Sequence, residues 1–145
     1  MKTVQVLIVD DCAVTRKKVQ GALCREPVAA TLLQADNGQH RGLIRVEVKA
    51  LEAANAAEAI TIMNGNHIDL VFSDINMPGM DGLEFLRQLR NTEETKNTLV
   101  VMITADASAT RVTAALTQGA NGYLKKPFTA QEVRDQAERV LEMRV

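Results

Sequence analysis

The sequence predicts an α/β fold: a doubly wound parallel sheet of about five strands with helices on both faces. Three observations predict it. Short apolar runs rich in β-branched residues recur along the chain, and stretches of helical periodicity fall between them. The runs end on chemistry-bearing residues: Asp10 and Asp11, Asp74, Thr104, and Lys126. With 145 residues, 46% of them hydrophobic, the chain has material for one domain with a sizeable core, so residues 1–145 are expected to form a single domain.

Each element follows in order. Val4 to Val9 is a buried strand by its β-branched content, and Asp10-Asp11 end it. A helix over about 14–25 carries Val19, Ala22 and Leu23 on one face, and Glu26-Pro27 stops it, because the residue before Pro is pushed out of the helical region. Val46 to Glu52 is a strand. Asn55, with Glu58 three residues on, caps a helix bearing Ala56, Ala59, Ile60 and Met63, which Asn64-Gly65-Asn66 closes. Leu70 to Ser73 is the central strand, and Asp74 follows it at once. Met77-Pro78-Gly79 then delays the next helix, Gly82 to Arg90, expected to face Leu83, Leu86 and Leu89 inward. Leu99 to Thr104 is another buried strand. A helix with Ala109, Val112, Ala115 and Leu116 follows, closed by Gly119. Gly122 to Leu124 is a short last strand. Thr129 and Glu132 form a capping box for a final helix with Val133, Ala137, Val140 and Leu141 on one face.

Charge and composition exclude several classes. With 17 basic against 18 acidic side chains the net charge is −1, which argues against a nucleic-acid or membrane-surface partner. Aromatic residues are 3% with no Trp, too few for base-stacking platforms. The apolar run near the amino terminus is too short for a signal-peptide core or a membrane span, so a cytoplasmic protein is expected. Cys12 and Cys24 make no disulfide framework and are expected to be small buried thiols, Cys24 on the first helix and Cys12 just before it.

In a parallel sheet all carboxyl ends share one edge, so Asp10, Asp11, Asp74, Thr104 and Lys126 are expected to converge. Three carboxylates held close repel unless a cation sits among them. Oxygen ligands with open positions suit Mg²⁺, which keeps waters and prefers one or two carboxylates plus a phosphate. The Lys126 ammonium suits a phosphoryl oxygen, and the Thr104 hydroxyl can donate to another. That set of groups fits phosphoryl transfer, where positioning and charge neutralisation supply most of the catalysis.

The chain closely resembles the receiver domains of two-component response regulators, especially the stand-alone chemotaxis type. The resemblance is carried by Leu7-Ile8-Val9-Asp10-Asp11, by Asp69 to Gly82, by Val101 to Ala105, and by Gly119 to Phe128 with its Lys125-Lys126-Pro127-Phe128. It implies a flavodoxin-like sheet of order 2-1-3-4-5. It implies that Asp74 is the phosphoacceptor, charged by a sensor histidine kinase or phosphotransfer protein, and that the chain switches the binding of a downstream output protein. It further implies that Asp11, Asp74 and the Asn76 backbone carbonyl ligate Mg²⁺, with Asp10 reaching it through water. Lys126 would pair with the phosphoryl oxygens, with the Lys126–Pro127 bond cis. Thr104 would move to the phosphoryl group, Tyr123 would rotate into the space it leaves, and Ala105 is small, as the family prefers there. Such a domain is a signalling switch that catalyses only its own phosphorylation and dephosphorylation. An aspartyl phosphatase would share the strand-end Asp and Mg²⁺, but it carries an acid two residues after the nucleophile, where this chain has Asn76. A degenerate receiver, used only for interaction, would lack some of the five site residues.

The sequence departs from the family pattern at about residues 27–45. Asp74 lies 63 positions after Asp11, where average element lengths require about 45. Leu33 to Gln39 and Leu51 to Ala56 both read as the second strand of a receiver and its turn, and the later copy leads into the better helix. The excess has two readings: a mobile surface loop, or a hairpin with a strand over residues 30–35, a turn at Asp36-Asn37-Gly38, and a return arm from Leu43 into the strand ending near Glu52. The added strand should cover the exposed sheet edge and affect partner choice or dimerisation more than chemistry.

Overall fold

The computed structural model describes residues 2–25, 28–33, 41–106 and 108–142. In chain order the elements are β1 (Lys2–Val9), α1 (Ala13–Cys24), β2 (Val28–Leu33), β3 (Arg41–Ala53), α2 (Ala56–Gly65) and β4 (Leu70–Asp74). They continue with α3 (Gly82–Arg90), β5 (Leu99–Thr104), α4 (Ala109–Thr117), β6 (Gly122–Lys125) and α5 (Ala130–Glu142). The sheet order is β2-β3-β1-β4-β5-β6. All neighbours except β2 and β3 pair in parallel, so β3-β1-β4-β5-β6 is the expected order 2-1-3-4-5.

The central strands are apolar on both sides because both sheet faces are covered. β4 and β5 are buried at every position. On one face Val19, Leu23, Phe72, Val101, Val133 and Val140 share a cluster with the helices α1 and α5. On the other, Leu7, Val71, Phe85, Leu86, Val100 and Met102 pack with α2, α3 and α4. The stripes expected on α1 and α5 are the buried ones. On α3 the buried stripe runs through Phe85, Leu86 and Leu89, with Leu83 only half-buried. Asp81 caps that helix through the Glu84 N–H at 2.9 Å, which sets its phase. Of the apolar residues on α4, Ala115 is buried and Leu116 faces outward at 48% exposure.

The cysteines also depart from expectation, since both are exposed. Cys12 occupies the N-cap of α1, where the chain turns out of the sheet. Cys24 lies at the helix end, and its Sγ donates to the Val48 carbonyl at 3.4 Å.

Residues 28–33 form the expected antiparallel partner, and the later copy, ending at Ala53, is the strand beside β1. The turn expected at Asp36-Asn37-Gly38, with residues 34 and 35 of the expected strand, lies outside the described residues. The register corrects the role assigned to the hairpin. β3 pairs with β1 from Val46 to Ala53 and with β2 from Arg41 to Val46, so the two pairings overlap only at Val46. The hairpin therefore overhangs the amino edge of the sheet instead of covering the outer edge of β3. The cause is local: α1 runs back along the sheet and delivers the chain at that amino edge. β2 then starts opposite Val46 and can only lead away. The stretch of β3 that β2 leaves uncovered bears Glu47 and Lys49, exposed charges that disfavour further strand pairing.

Candidate functional site

The carboxyl ends of β1, β4, β5 and β6 bring the predicted residues to one edge. Asp10 is fully buried, Asp74 is 4% exposed, and Asp11 is exposed beside them. One carboxylate oxygen from each of the three lies within 4.8 Å of the others. Lys126 enters from the end of β6, its backbone N–H held by the Thr104 carbonyl at 2.8 Å. Its Nζ lies 3.0 Å from Asp10 Oδ2 and 3.3 Å from Asp74 Oδ2. The Lys126–Pro127 bond is cis, as the resemblance implied.

Asp10 and Asp74 are each held from several sides. The Asp10 N–H donates to the Ala53 carbonyl at 3.1 Å, and Asp10 Oδ1 accepts from the Cys12 N–H at 2.8 Å. The Asn76 N–H donates to Asp74 Oδ1 at 3.2 Å. Burial, reinforced by the Asp10 charge, pushes the Asp74 carboxyl above the usual carboxylate range, and Lys126 offsets this only in part. For Lys126 burial works against the charged form, yet its contacts with Asp10 and Asp74 outweigh that and hold the ammonium above its ordinary value.

The arrangement fits a hard divalent cation. Three carboxylate oxygens converge, and the buried Asp10 Oδ2 has no aligned hydrogen-bond donor despite the nearby ammonium. A single lysine leaves this edge short of positive charge, and oxygen-only donors select Mg²⁺-like ions over softer metals.

Thr104 is buried at the same edge, but its hydroxyl is engaged elsewhere: it accepts from the Asp106 N–H at 2.9 Å and donates to the Asp106 carbonyl at 2.8 Å. Ala105 is exposed, and Tyr123 on β6 is 39% exposed. The structure thus clusters the charged groups of Asp10, Asp11, Asp74 and Lys126, with Thr104 at the same edge, its hydroxyl turned to Asp106, and Tyr123 exposed on β6.

Three features escaped sequence reasoning. Arg16 of α1 and Glu52 of β3 form an ion pair beside Asp10, which only the β1–β3 register brings together. The Cys12 N–H partners Asp10. Gly82 packs on the backbone of Asp74 and Ile75. A signal for the last was present, since Asp81 followed by Glu84 before an apolar run reads as a helix start.

The response regulator receiver domain family model matches residues 40–138. The chemotaxis protein CheY of Pseudomonas aeruginosa is 31% identical over 95% of this chain and 96% of its own length. CheY-3 of Vibrio cholerae is 33% identical over 97% of this chain and 94% of its own. The chain belongs to the response-regulator receiver domains. Among solved structures, the chemotaxis response regulator CheY4 of Vibrio cholerae superposes with a TM-score of 0.73 at 29% identity, covering 96% of this chain and 99% of that one. A receiver domain of this kind is the phosphoacceptor module of two-component signalling and acts as a switch. The family match begins inside the added segment, so β1 and Asp10 lie before it, while the curated relatives align across both.

Proposed function

We propose that Asp74 is the residue of this receiver that takes the phosphoryl group, with Lys126 as the cation that meets it. The observation that carries this reading is the Lys126 ammonium, placed between two buried carboxylates at the end of the central strand. In the transfer, the P–N bond of a phosphohistidine on a sensor histidine kinase or phosphotransfer protein breaks as a P–O bond to Asp74 forms. The departing imidazole keeps the bonding electrons. Asp11, Asp74 and the Asn76 carbonyl would hold Mg²⁺, with Asp10 engaged through water; once bound, the ion would supply charge neutralisation. Asp74 must be ionised to attack, and Lys126 favours that form. Attack of water on phosphorus at the same site would break the P–O bond to Asp74, release inorganic phosphate and restore the carboxylate.

The switch reading rests on Thr104. Its hydroxyl must release both bonds to Asp106 before it can donate to a phosphoryl oxygen, with the small Ala105 leaving room, and Tyr123 on the adjacent strand can then turn inward. Thr104 and Tyr123 form a two-state element of the kind a phosphoryl group can bias. The face that changes holds α4, β6 and α5, where Leu116, Tyr123, Lys125, Gln136 and Arg139 line a cleft of about 610 Å³. A downstream output protein would dock there, in the cytoplasm. Among the described residues no helix is long and apolar enough to cross a membrane. Residues 1–145 would act as one domain, the added hairpin serving partner choice.

Incubation with acetyl phosphate and Mg²⁺, followed by intact-mass spectrometry, tests the assignment. Wild type should gain one phosphoryl mass, and Asp74→Asn should gain none. Full labelling of the variant would refute it.

A further inference from the structure

We propose that Arg16 is a positioning residue for the acidic site: it clamps the Asp10 backbone to β3, and this clamp sets the affinity of the site for a divalent cation. The inference rests on the reading of Asp10, Asp11 and Asp74 as the cation site. Arg16 lies on the first turn of α1, and only 17% of its side chain is exposed. Nη1 donates to the Asp10 carbonyl at 2.6 Å, and Nε donates to Glu52 Oε1 at 3.0 Å. Lys17 Nζ takes the other Glu52 oxygen at 2.8 Å. Glu52 stands opposite Ile8 in the β1–β3 register, so one guanidinium joins the helix, the end of β1 and the neighbouring strand.

The contact matters because of where Asp10 sits. β1 leaves the sheet after Val9, so the Asp10 carbonyl is past the strand ladder. Arg16 gives that oxygen a charged donor. With its N–H on Ala53 and Oδ1 on the Cys12 N–H, Asp10 is then fixed at three atoms. Asp11 follows it directly and inherits the fixed backbone. A loop already ordered loses less conformational freedom when its carboxylates close on an ion. Groups that hold ligands without touching the metal commonly change metal affinity by 10–100-fold when removed.

Charge alone makes the opposite prediction. A guanidinium beside an acidic cluster repels an incoming cation, so a purely electrostatic Arg16 would weaken binding, and its removal would tighten it. The sign of the change separates clamp from charge. Geometry separates arginine from lysine as well: a planar fork spans the Asp10 carbonyl and Glu52 at once, and a single ammonium does not.

The test is a calorimetric Mg²⁺ titration of the unphosphorylated full chain, with thermal unfolding in EDTA run in parallel. Arg16→Gln should raise the Mg²⁺ dissociation constant about tenfold. Arg16→Lys, which keeps the charge and the stem, should show most of the same loss. Glu52→Gln keeps an acceptor for Nε and should change affinity less than either. An unchanged or tighter constant in Arg16→Lys, folded in EDTA, overturns the clamp while leaving the cation site in place. Absence of Mg²⁺ binding in wild type overturns the cation site, and the clamp with it.

Discussion

The two ends of the sheet obey different rules. At the carboxyl edge several groups converge on Asp74 and Ile75: the Asn76 N–H and the Lys126 ammonium reach the Asp74 carboxylate, and Gly82 packs closely on the backbone of both residues. At the amino edge β2 and the start of β3 extend past β1 and answer to little but each other and α5. The first edge holds like charges together against their repulsion and allows no change of length. The second accepts an insertion because only backbone pairing must be satisfied there. The difference teaches that tolerance in this fold follows distance from the strand ends that do chemistry.

The largest expected effect comes from adding one methyl group at the tight edge. A Cβ on Gly82 would strike the Asp74 carbonyl and come within 2.7 Å of Ile75 Cα. The Gly82 N–H also donates to the Ile75 carbonyl at 2.7 Å, so the helix cannot slide away freely. Gly82→Ala should cost about 2–3 kcal/mol in urea unfolding, the range of overpacked sites. Gly21→Ala, within α1 and with nothing inside 4 Å of its Cβ, should stabilise by about 0.5–1 kcal/mol. Equal costs at the two glycines would erase the contrast.

Much of this was legible in the chain. Five apolar runs, their intervening helices and the acids, hydroxyl and ammonium at their ends could be read because a buried parallel strand leaves a short β-branched signature. Its carboxyl end then has only one place to go. Less could be read where phase or register decides. The α3 stripe passes through Phe85 and not Leu83 because the Asp81 cap fixes the helix phase. Leu116 and both cysteines are exposed although their residue types favour burial. Arg16 and Glu52 are 36 residues apart, and no local pattern pairs them. The overhang of the hairpin follows from a register that composition does not encode.

A smaller effect tests whether the tight edge is held at a cost. Burial and Asp10 raise the Asp74 carboxyl in the folded state above its ordinary value of 3.8. The native protein therefore binds more protons than the unfolded chain between that value and the raised one. Stability falls as pH rises through this window and stays lower above it, so the ionised Asp74 destabilises the fold at neutral pH. Asp74→Asn should raise stability at pH 7 by about 1 kcal/mol, or about 3 °C in melting temperature. The advantage should vanish below about pH 4, where both chains carry a neutral group. A variant less stable than wild type at pH 7 would mean that the Lys126 contact outweighs burial and repulsion.

The smallest effect on chemistry should come from the loose edge. Replacing residues 28–44 by a short Gly-Ser turn removes β2 and the overhanging part of β3 while leaving the β1–β3 pairing from Val46 onward intact. Val28 is fully buried in the cluster that includes Leu141, so some stability will be lost at the end of α5. Phosphoryl labelling from acetyl phosphate should nevertheless stay near the wild-type rate, because among the described residues no bond to Asp10, Asp11, Asp74 or Lys126 involves the removed segment. In the intact chain, amide exchange at residues 31–33 should be slower than loop rates, as their pairing with 41–43 requires, yet faster than in β4 and β5. Lost labelling in a variant that still folds would show that the two ends are coupled through α1 or α5. Unprotected amides at 31–33 would mean that the arm is not paired in solution.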